Sequence, residues 1–211
     1  SAWIKAGSVG ETSGRIIDKS GNANVLNGFE LDTTVTNLIR FRVNGTTNAC
    51  TSASGSVVFG DGNWYHVLVT VSSGAKVNFY INGTISGTAD QTCNALSGIT
   101  TTADMRIGNR SAGTDRTFDG LIDELRIYNA VLSAPNIAIL YAKGEVYANL
   151  LYKFSFEEGS GSFAFDTSQW EKVTNGVAHI FDQSGIDLKW RANEKAASTG
   201  RITKIAITNY H

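Results

Sequence analysis

Two alternating runs in this chain end in the same dipeptide. Leu38-Ile39-Arg40-Phe41-Arg42-Val43 leads into Asn44-Gly45, and Lys76-Val77-Asn78-Phe79-Tyr80-Ile81 leads into Asn82-Gly83. Asn-Gly accepts the positive φ angles of a type I′ turn, so a period-two run that ends in it is directed toward a β-hairpin. Other short runs share the character. Trp64–Val71 is rich in β-branched residues and alternates in its second half, before a turn at Ser72-Ser73-Gly74. Arg106-Ile107-Gly108, Leu121–Tyr128, Leu150–Phe156 and Ile202–Ile207 read as further strands, Glu157–Ser162 as a turn and Trp170–Asn175 as a loop. With 22 Gly and one Pro in 211 residues, turns are plentiful. One short helix is expected where Ser133 caps, Pro135 sits in the first turn, Ile137, Leu140 and Tyr141 share a face, and Gly144 stops the chain. Short strands at this spacing predict an all-β, two-sheet antiparallel sandwich with one short helix.

Composition narrows the function. Hydrophobic residues make up 42% of the chain, enough to bury the core of about one domain. Lys and Arg number 18 against 19 Asp and Glu, a net charge of −1. Nucleic acid and acidic membrane surfaces both call for a basic stripe, so neither is expected as a partner. No apolar run approaches the roughly 20 residues that span a bilayer, so no membrane insertion is expected. The chain begins at Ser1 with no signal-peptide pattern, and that end is expected to be processed or excised.

Catalytic patterns are weak. Asp123 and Glu124 are adjacent, and on a continuous strand they point to opposite faces. Glu157-Glu158 precedes a Gly-Ser turn and reads as solvated. His66, His179 and His211 are scattered, and neither a Gly-x-Ser-x-Gly elbow nor a phosphate loop occurs. Cys50 and Cys93 lie in small, polar stretches resembling surface loops and fit one disulfide or two free thiols. The disulfide is the expectation, and with it an oxidising compartment. Asn44, Asn82 and Asn109 open N-glycosylation acceptor triplets, although the first two also open hairpin turns.

Several segments together resemble the laminin-G-like, concanavalin-A-like lectin/glucanase jelly roll. They are Ser1–Lys5, Trp64–Val67, Phe79–Gly83, Arg106–Asn109 and Phe118–Asn129, followed by the helix after Leu132-Ser133. The order of the remainder is unusual. Phe154–Gly161 with Asp166-Thr167-Ser168, and Thr199–Ile207, resemble segments that open such a domain, so the family's pieces stand here in circularly permuted order. Residues 1–147 resemble the main body, and 148–211 the first third, completing the same or a neighbouring sandwich. The resemblance implies core positions for Trp3 and Trp64. It also points to calcium at a loop rim, with Asp166, Asp123 and, beside them, Asp119 as ligands. Trp170 and Trp190 are candidates for a sugar-stacking platform, with core or interface packing as the alternative.

These readings predict a non-enzymatic protein, extracellular or on a cell, virion or particle surface. The first expectation is a structural subunit that assembles head-to-tail with copies of itself, its C-terminal third completing a neighbour's sheet. The alternative is a monomeric carbohydrate-binding or adhesion module closed on itself. A two-carboxylate glycosidase comes third.

Overall fold

The computed structural model describes residues 1–8, 13–20, 28–43, 49–92, 101–110, 115–157 and 166. They belong to one compact unit, Ser1–Trp170; a second, Glu171–His211, lies outside the described residues. In chain order the strands are β1 (Ala2–Ala6), β2 (Arg15–Lys19), β3 (Phe29–Thr34), β4 (Leu38–Val43) and β5 (Cys50–Thr51). Next come β6 (Tyr65–Ser72), β7 (Lys76–Ile81), β8 (Thr84–Ile85), β9 (Gln91–Thr92) and β10 (Arg106–Ile107). The series ends with β11 (Gly120–Asp123), β12 (Leu125–Tyr128), the helix α1 (Ala134–Tyr141) and β13 (Leu150–Phe154).

Among the described residues one antiparallel sheet runs β11-β1-β6-β7-β8, with β9 also on β7, and a second runs β10-β2-β3-β4-β5. A two-stranded pair, β12 and β13, stands beside them. The expected all-β antiparallel sandwich with one helix is what forms. Period two does most of the work. In β4, Ile39, Phe41 and Val43 are buried while Arg40 and Arg42 face the other way. In β1, Ala2, Ile4 and Ala6 turn inward, and Trp3 and Lys5 outward. The inward rows of both sheets join Val57, Val67, Val77, Phe79, Phe118 and Leu125 in one core.

The hairpin signal holds at Asn82-Gly83, whose φ angles of 51° and 77° turn β7 into β8. Asn44-Gly45 lies outside the described residues. Ser133 caps α1, its hydroxyl accepting from the Asn136 amide at 3.4 Å. The helix stop expected at Gly144 falls one residue earlier: Lys143 takes the left-handed conformation (φ 61°) and Gly144 N–H closes onto Ile139 O at 2.8 Å. Ile137 and Leu140 of α1 are buried with Leu68, Leu132 and Val146 in a second apolar cluster, on the outer side of β6. Tyr141, expected on the same face, is 42% exposed.

Two strands differ from their expected bounds. The run expected over Leu121–Tyr128 is broken at Glu124, whose φ of 49° separates β11 from β12. Leu150–Phe154 pairs with β12 of its own chain, Leu125 opposite Phe154 and Ile127 opposite Tyr152. The strand expected at Ile202–Ile207 and the loop at Trp170–Asn175 lie outside the described residues.

Candidate functional site: a tryptophan cleft beside the helix

The register of β1 with its two neighbours builds one corner of the surface. Trp3 stands opposite His66 on β6 and Asp123 on β11, so the three side chains share a rung and a face. On that outer face, Tyr141 of α1 stacks on Trp3 at 5.9 Å between centroids and 19° between planes. His66 lies 5.3 Å from Trp3, 1% exposed, and burial first, then nearby positive charge, pulls its pKa down to about 3. It is therefore a neutral packing ring. Lys143, placed by the left-handed turn after α1, holds its ammonium 5.3 Å from the centre of the Trp3 ring.

Beside this stack lies a cleft of about 330 Å³ lined by Trp3, Trp64, Asp123, Glu124, Arg126, Lys143, Glu145 and Glu157. Trp64, immediately before β6, is 40% exposed. Arg126 is 4% exposed; its Nη2 pairs with Glu124 Oε2 at 2.6 Å and Glu145 Oε1 at 3.1 Å, and its Nη1 donates to Glu124 O at 3.2 Å. Its Nε has no hydrogen-bond partner. Lys153 Nζ bonds Glu145 from the other side at 2.8 Å. Burial raises the Glu124 pKa, against the lowering influence of Arg126 and Lys153. Exposed indole, convergent charged groups and a buried donor make a surface suited to a polyhydroxylated ligand.

Two other parts of the surface are built differently. An opening of about 590 Å³ between the sheets is the larger, but core side chains such as Ile17, Phe29, Leu31 and Val71 dominate its lining. The outer face of the second sheet carries Arg15, Asp18, Glu30, Asp32, Arg40 and Arg42, whose charges pair with one another. Cross-strand register brings them together, Glu30 opposite Arg42 and Asp32 opposite both Arg40 and Arg15. That face is a closed ion network.

The expected site residues scatter. Trp170 and Trp190 lie outside the described residues. Trp3 and Trp64 are not in the core between the sheets; they are the indoles of the cleft, Trp3 turned outward by its parity on β1 and Trp64 placed just before β6. Asp123 and Glu124 line the same cleft, since the break at Glu124 cancels the alternation expected of a continuous strand. Asp119 is exposed beside Gly7, four residues before Asp123. Asp166 Oδ1 accepts from the Lys153 amide at 2.9 Å. Among the described residues no three His, Cys, Asp or Glu side chains gather as a metal site. Cys50 is not on a surface loop: it is 2% exposed on β5, within the core, while Cys93 lies outside the described residues. Asn82 Oδ1 accepts from the His66 amide at 2.9 Å and Asn109 Oδ1 from the Arg110 amide at 2.7 Å; Asn44 lies outside the described residues.

The fold agrees with known proteins. A laminin-G-type family model, described as the concanavalin A-like lectin/glucanases superfamily, matches residues 1–138, and the chain belongs to that family. A stretch of 145 residues is 25% identical to the adhesion G-protein coupled receptor V1 of Danio rerio, covering 67% of this chain and 2% of the receptor. A Bacteroides ovatus protein described as carbohydrate-binding superposes with a TM-score of 0.59 at 16% identity, over 79% of this chain and 48% of that one. The CBM40 module of Ruminococcus gnavus IT-sialidase, bound to α2,3 sialyllactose, gives 0.51 at 17% identity, over 66% and 79%. At these identities the two structures share the fold. No helix among the described residues is long and apolar enough to cross a membrane.

Proposed function

We propose that this domain is a non-catalytic carbohydrate-binding or adhesion module of an extracellular or cell-surface protein, and that the Trp3–Trp64 cleft receives the sugar. The observation that carries this reading is Trp64, an indole 40% exposed at the mouth of a charged cleft. A pyranose ring stacks its C–H face on such an indole while hydroxyls exchange hydrogen bonds with the carboxylates and Arg126. Glu124 and Glu145 are not a free acid/base pair, because they share one guanidinium nitrogen. That arrangement supports binding over hydrolysis.

Head-to-tail assembly is the rival reading. The pairing of β13 with β12 of the same chain favours a self-closed module over exchange of that strand. A Cys50–Cys93 disulfide belongs to the same proposal and fits an oxidising compartment; resistance of both thiols to alkylation before reduction, and labelling after it, would support it.

The test is glycan-array screening of the chain followed by calorimetry on Trp64→Ala. Loss of at least tenfold in affinity with an unchanged melting temperature is expected, because the side chain is exposed. Undiminished binding would move the site elsewhere.

A further inference from the structure

We infer that the cleft selects neutral sugars and rejects acidic ones; this rests on the reading of the cleft as a glycan site. The lining carries four carboxylates, Asp123, Glu124, Glu145 and Glu157, against two cations, Arg126 and Lys143. Both cations are already engaged. The two terminal nitrogens of Arg126 hold Glu124 and Glu145, so its guanidinium cannot offer the parallel pair of N–H groups that clamps a ligand carboxylate. Lys143 sits over the Trp3 ring, and the nearby Lys153 is spent on Glu145.

The remaining donor of Arg126, Nε, is buried and makes no hydrogen bond, so the cleft offers a ligand carboxylate no free pair of N–H groups. A ligand carboxylate at that point would meet like charges in a partly desolvated space, where repulsion is several times stronger than in water. Sugar hydroxyls, by contrast, donate to a carboxylate such as Asp123 without like-charge repulsion.

The experiment is isothermal titration of the whole chain with matched pairs: lactose and α2,3 sialyllactose, and cello-oligosaccharide and oligogalacturonate, at low and high salt. The neutral member of at least one pair is expected to bind at least tenfold tighter than its acidic partner. The double variant Asp123→Asn, Glu145→Gln is expected to narrow that gap, more at low salt than at high. Equal or tighter binding of the acidic member, lost in Trp64→Ala, would overturn the selectivity while leaving the cleft as the site. Binding indifferent to Trp64→Ala, or absent for every sugar, would overturn the underlying reading instead.

Discussion

Glu30 and His66 are buried titratable groups whose folded-state pKa values move in opposite directions. Burial, then the neighbouring Asp32 carboxylate, pushes Glu30 up to about 7 against the pull of Arg15 and Arg42. Its contribution to stability is fully present below the ordinary carboxylate pKa and is lost as pH rises through about 7. His66 is pulled down to about 3, so its contribution is present above pH 6.5 and lost as pH falls through about 3. Urea unfolding from pH 4 to 9 should therefore show the two contributions opposing each other between about pH 4.5 and 6.5 and level off above about pH 7, and Glu30→Gln should leave a rise in stability toward pH 6.5 that His66 alone produces. Arg15 faces three carboxylates; Arg15→Met leaves them undercompensated and should cost about 3–5 kcal/mol in the same assay. None of these roles is local in the sequence. Arg15 and Asp18 flank an isoleucine pair with no alternation of their own. Their burial depends on Glu30 and Asp32, set opposite them by strand pairing.

Elements defined by their own residues were legible, and elements defined by a partner were not. The period-two runs of β4 and β7, the Asn-Gly turn after β7 and the Ser133 cap all act within a few residues. Strands as short as β5, β9 and β10 exist because a longer neighbour presents an edge. The break at Glu124 gave no sequence signal, and it is what brings Asp123 and Glu124 into one cleft. Gly120 shows how closely β1 and β11 approach: a Cβ there would lie 2.1 Å from Lys5 O. Gly120→Ala should separate the two strands and lower the melting temperature by several degrees, with Leu121→Ala, 56% exposed, as the mild control. Leu140 is fully buried under α1, so Leu140→Ala should cost about 2–5 kcal/mol in chemical denaturation. It should also weaken sugar binding, because Tyr141 and Lys143 reach Trp3 from that helix and its end.

At the scale of the whole molecule, the family was readable from ordered segments because each is a strand or turn with local rules, whereas the cleft was not. Its eight lining residues come from four strands or their ends, the turn after α1 and the segment beyond β13. Only the pairing of β1 with β6 could have shown that Trp3 turns outward near the end of β6 where Trp64 stands. The self-closed reading predicts a monomer by sedimentation at high concentration, and filaments would contradict it. The most direct test is a nuclear magnetic resonance titration of the four tryptophan indole N–H signals with a neutral oligosaccharide. The account predicts saturable shifts of the Trp3 and Trp64 signals together. Shifts confined to Trp170 and Trp190, or none at any sugar concentration, would contradict it.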